Sequence, residues 1–167
     1  SQKAFGRLPG LHKVLDESPQ AFEGYQLLHK LFIETDFDVD ELTVVWQSIN
    51  VENECHYCVP AHTGIAKVMK VSEDLSEALR NETALPSAKL EALRTFTVQM
   101  VRERGNLSKA KMKVFFDAGY GHRAVLDVIL GLAQKTMSNY INHVAKTPVD
   151  EVFQPLLWQR GDAPLKV

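Results

Sequence analysis

Cys55-His56-Tyr57-Cys58-Val59-Pro60-Ala61-His62 is the stretch on which the reading of this chain turns. Both cysteines of the 167-residue sequence lie in it, three residues apart. A disulfide that staples a fold closes a long loop, and a bridge from Cys55 to Cys58 would close almost nothing. The pair is therefore read as chemical. Pro60 sets the local conformation, because proline lacks an N–H and is tolerated only in the first turn of a helix. The helix must begin near Tyr57 or Cys58. Cys58 then sits where free N–H groups and the positive end of the dipole favour a thiolate. His62 follows one turn later on the same face, where an imidazole can exchange protons with a sulfur or with a bound substrate. A thioredoxin-like domain would need strands flanking the motif, and none is evident.

Outward from the motif, the punctuation is that of a helical bundle. Ser18-Pro19 is a cap and first-turn pair, followed by Phe22, Tyr25, Leu28, Leu31 and Phe32 at helical spacing. Asp38 or Asp40 caps a second helix carrying Leu42, Val45, Trp46 and Ile49. The third starts at the cysteines and runs to about Lys70. Ser72, with Glu73 and Asp74 in the next turn, opens a short fourth that ends before Pro86. Ser87 caps a fifth, without a capping box, and Gly105 stops it. Asn106 or Ser108 starts a sixth, closed by Ala118-Gly119. The longest runs from about Arg123 to Ala145, with Val125, Val128, Ile129, Leu132 and Met137 on its apolar side, and Pro148 ends it. Strand alternation is scarce. The expectation is an all-α bundle of about six to seven helices in a single domain spanning 1–167, with a core at about 20–153 and terminal extensions. Val152, Phe153, Leu156, Leu157 and Trp158 make an apolar tail that either folds back on the bundle or packs against another subunit.

Composition narrows the function classes. Hydrophobic residues make up 45% and charged residues 24%, the balance of a globular chain long enough to bury a core. A net charge of −2 offers no electrostatic footprint for nucleic acid or an anionic membrane. No stretch is long and apolar enough to span a bilayer, and Ser1 to Leu15 lacks the apolar core of a signal peptide. A cytoplasmic protein is expected. Cys55, Cys58 and His62 are also three plausible zinc ligands, but a structural site needs a fourth and His56 is poorly placed to chelate the same ion. The expectation is no metal and no cofactor, since nothing resembles a dinucleotide loop either. His143 near the end of the long helix reads as a packing residue that could approach the site. His12, His29 and His122 show no constellation, and Trp46 with Phe115-Phe116 reads as core.

With the motif on a helix, Glu52-Asn53-Glu54-Cys55-His56-Tyr57-Cys58-Val59-Pro60-Ala61-His62-Thr63 resembles the Cys-x-x-Cys-x-x-x-His signature of the carboxymuconolactone decarboxylase superfamily, in its AhpD-like (alkylhydroperoxidase D-like) branch. The resemblance extends through Leu93-Arg94-Thr95-Phe96, Phe116-Asp117-Ala118-Gly119-Tyr120 and Ser138-Asn139-Tyr140-Ile141-Asn142-His143, covering roughly 20–153. It implies a thiol-dependent peroxidase or disulfide oxidoreductase of antioxidant defence. Cys58 would form the sulfenic acid or attack a disulfide, Cys55 would resolve it, and His62 would relay protons with a nearby carboxylate. The substrate would be a peroxide or disulfide, the reductant a dithiol or protein, and the assembly a homo-oligomer. The AhpD-like pattern places a glutamate twelve residues before the first cysteine, where this chain has Thr43; Glu52 and Glu41 are the available substitutes. Tyr57 stands where some relatives carry a second relay histidine. Two alternatives remain open: a lactone decarboxylase of the same superfamily, which the paired cysteines argue against, and a non-catalytic zinc-stabilised or interaction module.

Overall fold

The computed structural model describes residues 9–161; the first eight residues of the stretch read for leader character, and the end of the C-terminal extension, lie outside them. Eight α-helices lie among the described residues: α1 (Gly10–Leu15), α2 (Pro19–Ile33), α3 (Val39–Glu52), α4 (Cys58–Val68), α5 (Glu73–Arg80), α6 (Ala88–Arg102), α7 (Lys109–Asp117) and α8 (His122–Ala145). A 3₁₀ turn, Glu151–Leu156, follows. The described residues contain no strand. The all-α expectation holds, but nine helices exceed the six to seven expected. The additions are α1 and the 3₁₀ turn, each of six residues and too short for a periodic signal.

The caps follow short-range chemistry. Ser18, Ser72, Ser87 and Ser108 each accept a hydrogen bond from the backbone N–H three residues on. Asp38 and Glu41 form a full capping box at the start of α3. The ends are less orthodox. Glu54, Lys70, Glu82, Arg104 and Lys146 all adopt positive φ just beyond a helix, a conformation usually given to glycine. At the end of α3 the Cys55 N–H reaches the Asn50 carbonyl at 2.9 Å and the Glu54 N–H reaches Val51 at 3.0 Å. This Schellman closure delivers Cys55 directly from the end of one helix to the start of the next.

Helix α3 is the axis of the bundle. Every residue from Glu41 to Val51 is buried, and the helix packs on α4, α5, α6 and α8. The main core gathers Phe32, Val45, Trp46, Ile49, Leu75, Leu93, Phe96 and Phe115. Gly131 lets α8 approach closely: a Cβ there would come within 2.7 Å of the Phe32 ring and 2.9 Å of Val45. The apolar tail folds back. Phe153 lies against Gly64 of α4, Trp158 Nε1 donates to the Arg80 carbonyl at 2.9 Å, and Arg80 donates to the carbonyls of Leu156 and Leu157, both at 3.1 Å. No helix among the described residues is long and apolar enough to cross a membrane.

The face that α8 buries departs from the apolar pattern read from sequence at Ile129 and extends beyond it. Ile129 is 44% exposed, as are Leu126 (66%) and Val144 (86%). Val128 is fully buried and Val125, Leu132 and Met137 pack on the cores as expected, but the buried stripe continues through Gln134, Lys135, Ser138, Asn139 and Asn142. These residues recur at one-turn spacing and find partners inside. Trp46 Nε1 donates to Gln134 at 2.8 Å, Asn139 Nδ2 to Asn50 at 3.0 Å, and Asn53 Nδ2 to Asn139 at 2.9 Å. Polar groups so paired can be buried without the full desolvation cost.

Candidate active site

A second, smaller core encloses both cysteines together with Leu11, Leu15, Tyr25, Tyr57 and Ala61. Both thiols are free and buried. Cys58 is the first residue of α4 and is preceded by Tyr57 in helical conformation, so no side-chain oxygen caps the helix. The sulfur of Cys55 takes that role, accepting the Cys58 N–H at 3.2 Å. The helix start therefore serves Cys55, not Cys58 as the sequence suggests. Cys58 Sγ is held from α8 instead, where Asn142 Nδ2 donates to it at 3.3 Å.

The two thiols are driven apart. Burial pushes Cys58 up, but the hydrogen bond from Cys55, the charge of Lys135 and the amides of Asn139 and Asn142 outweigh it and bring its pKa down to about 6. Cys55 is pushed far above the ordinary thiol range, first by that same hydrogen bond, then by burial and the neighbouring Cys58 charge. The pair behaves as one unit sharing a proton, with the negative charge on Cys58.

Lys135 is fully buried, 1% exposed, and its Nζ lies 2.9 Å from His62 Nε2. A lysine ammonium offers only donors, so Nε2 is the acceptor and the His62 proton sits on Nδ1. Burial, then the charges of Lys135 and His29, hold His62 well below 6.5, so the imidazole is neutral. The Trp46 ring packs on it at 5.0 Å between centroids. Among the described residues His62 makes no hydrogen bond to either sulfur; Lys135 contacts the imidazole and its charge acts on Cys58.

Cys58, His62 and Lys135 line one small cavity of about 120 Å³. Pro9, Leu11, His12, Tyr25, Tyr57, Ala61, Ile65 and Phe153 complete its wall. Hydrogen bonds tie its Tyr57 wall to the start of α1 and to the segment after α8. Tyr57 hydroxyl donates to Asp150 at 2.7 Å and accepts from the Leu11 N–H at 3.3 Å, while the Gly10 N–H donates to the same carboxylate at 3.1 Å. His56 Nε2 lies 2.9 Å from the Thr147 carbonyl, so this exposed ring is anchored to the segment after α8.

The carboxylates considered for a relay are placed elsewhere. Glu52 is gripped by Arg102 through two bonds of 2.7 and 2.8 Å and lines a different cavity with Arg94 and Arg102. Glu41 is spent on the capping box, on Lys89 at 2.9 Å and on Tyr120 at 3.1 Å. His143 stacks on His56 at the surface, and no group of three His, Cys, Asp or Glu among the described residues is arranged to hold a metal. Sequence reasoning missed Lys135, Asn139 and Asn142, and dismissed His12 and His29. The available signal was the polar stripe at helical spacing on α8.

No protein-family profile matches the sequence, and no curated protein sequence matches it. Solved structures do. The crystal structure of an alkylhydroperoxidase AhpD core, an uncharacterized peroxidase-related protein from Ralstonia eutropha JMP134, superposes with a TM-score of 0.82 at 17% identity, covering 91% of this chain and 82% of that one. An uncharacterized peroxidase-related protein from Silicibacter sp. TM1040 gives 0.81 at 17% identity over the same shares. A cysteine-to-alanine variant of the debrominase Bmp8, solved with 2,3,4-tribromopyrrole, gives 0.78 at 14% identity, covering 92% of this chain and 83% of that one. The fold of this chain is that of the alkylhydroperoxidase AhpD core and of the peroxidase-related proteins built on it.

Proposed function

We propose that the protein is a thiol-dependent oxidoreductase in which Cys58 attacks a peroxide and Cys55 resolves the product. The observation that carries this reading is the asymmetry of the buried pair. Cys58 lies in a cavity wall with its thiolate favoured at about 6, while Cys55 is kept protonated beside it. The thiolate is the nucleophile, and it is the cysteine with access to the cavity. Attack on the outer oxygen of a hydroperoxide makes a Cys58 sulfenic acid, and condensation with the Cys55 thiol makes the disulfide and water. A second dithiol returns the pair to its reduced state by exchange.

The test is thiol titration before and after one equivalent of peroxide. Both free thiols should disappear, leaving an intramolecular bridge visible by mass. Two titratable thiols remaining at neutral pH would overturn the reading.

A second electrophile suits the same pair. Leu11, Ala61, Ile65 and Phe153 give the cavity an apolar wall, and the debrominase of similar fold was solved with a brominated pyrrole. Here Cys58 would take bromine from carbon, the carbon would gain a proton, and Cys55 would displace bromide to form the disulfide. Bromide release from tribromopyrrole, with thiols unreactive to peroxide, would favour this reading over the first.

A further inference from the structure

We propose that Lys135 is the proton donor of this site: its ammonium protonates the oxygen that leaves when Cys58 is oxidised, the part a carboxylate would play in a histidine–carboxylate relay. The inference rests on the dithiol reading above and adds the source of the proton. An alkoxide is a poor leaving group, and an acid that protonates it as it departs speeds breakage of the O–O bond.

The cavity wall contains no Asp or Glu among the described residues. The groups around Lys135 are Cys55, Cys58 and His62 from α4 and its entry turn, Tyr25 and His29 from α2, and His12 from α1. His62 is neutral, and its Nε2 lone pair is directed to Lys135. Tyr57 keeps its proton and directs it in a hydrogen bond to Asp150. Tyr25 is a neutral phenol that burial makes harder to ionise. Lys135 alone carries a proton whose loss removes a buried charge.

Charge balance strengthens the assignment. In the reduced protein the Cys58 thiolate and the Lys135 ammonium compensate each other in a water-poor interior. Oxidation consumes the thiolate and would leave the ammonium unpaired, which is costly. If Lys135 gives up its proton in the same step, both charges vanish together. Cys58 and Cys55 are the influences that hold the Lys135 pKa up, against burial that lowers it; the disulfide removes them.

The step balances. Cys58 Sγ attacks the outer oxygen of R–O–O–H, the S–O bond forms and the O–O bond breaks. The departing R–O⁻ takes the proton of Lys135 and leaves as R–OH, with a sulfenic acid on Cys58. Cys55 Sγ then attacks Cys58 Sγ, the S–O bond breaks, and hydroxide leaves as water with the Cys55 proton. Reduction by an external dithiol returns one proton to Cys55 and one to Lys135.

Proton stoichiometry tests this on the unmodified protein. At a pH where Cys58 is fully thiolate, oxidation by one equivalent of tert-butyl hydroperoxide in weak buffer should take up no proton from solution, whereas a Lys135 that stays charged requires uptake of one per disulfide. Diamide as oxidant gives the same count without a peroxide, so failure of the peroxidase reading and failure of this inference are told apart. In K135R the Cys58 alkylation profile should stay low because the charge remains, but one proton should now be taken up. The ratio of the tert-butyl hydroperoxide rate to the peroxyacetic acid rate, where acetate leaves unaided, should fall on the order of 100-fold. In K135M the alkylation midpoint should rise as well. Uptake of one proton by the wild type, an unchanged rate ratio in K135R, or a collapse of that ratio in Y25F instead would overturn the assignment.

Discussion

The Tyr57 hydroxyl donates to Asp150 Oδ2 at 2.7 Å across 93 residues of sequence. One side chain between the two cysteines thereby ties the redox motif to the tail, and through Gly10 and Leu11 to the first helix. Tyr57→Phe keeps the ring and removes these bonds. A bond to a charged acceptor is worth about 1.5–3 kcal/mol, so a loss of that size is expected. Thermal unfolding of wild type and variant, with limited proteolysis around Asp150, checks it. An unchanged midpoint and an uncut tail would show the tie to be idle.

Gly64 and Phe153 are paired by shape. A Cβ on Gly64 would come within 2.4 Å of the Phe153 ring, so Gly64→Ala should displace the tail at a cost of about 1–3 kcal/mol. Phe153→Ala vacates that space and enlarges the cavity that Phe153 lines. The double variant should be more stable than the two single losses added together predict. Strict additivity in urea unfolding would mean that the two residues do not compete for space.

The hydrogen bond from Cys55 is the largest influence favouring the Cys58 thiolate. Cys55→Ser retains a donor and Cys55→Ala does not. Alkylation of Cys58 against pH should therefore show a midpoint near 6 in the serine variant and a higher one in the alanine variant. Cys58→Ser should abolish reaction with peroxide, whereas Cys55→Ser should trap a sulfenic acid on Cys58, detected with a selective probe. If Cys55 proves to be the early-ionising thiol, the assignment of roles is reversed.

Acid should loosen the fold. His62 is held well below 6.5 by burial, so at lower pH the unfolded chain binds a proton that the folded chain refuses. Stability then rises with pH up to about 6.5 and falls away on acidification below it. The Cys58 thiol adds to the same trend, since its lowered pKa stabilises the folded state above about 9 and that gain is lost as pH falls through about 6. His62→Gln keeps an acceptor for Lys135 but cannot titrate, so its urea midpoint should decline less steeply between about pH 7 and pH 5. Parallel curves would exclude His62 as a source of the acid sensitivity.

Much of the scaffold was legible because its causes are local. Ser18, Asp38, Ser72, Ser87 and Ser108 cap helices through bonds that span three residues. Helix ends were harder to read. Glu54, Lys70 and Lys146 occupy left-handed positions that a search for glycine passes over, because tertiary packing supplies what their intrinsic preference opposes. Glu52 stands three residues before Cys55 and reads as a relay partner, yet Arg102, 50 residues away, claims its carboxylate.

The sequence by itself determined an all-helical chain and a cysteine pair at a helix start, with Pro60 and His62 placed relative to it by backbone geometry alone. It also pointed to Cys58 as the thiolate, but only the tertiary structure decided what favours it there: the hydrogen bond from Cys55, the charge of Lys135 and the amides of Asn139 and Asn142. Lys135 lies 73 residues from His62 and makes no pattern with the cysteines in sequence. Its place in the interior depends on partners brought together by the packing of α8 against α3 and α4. The free energy of a buried charge is set by what surrounds it in space, and that information is absent from helical periodicity, which counts Lys135 as a surface residue.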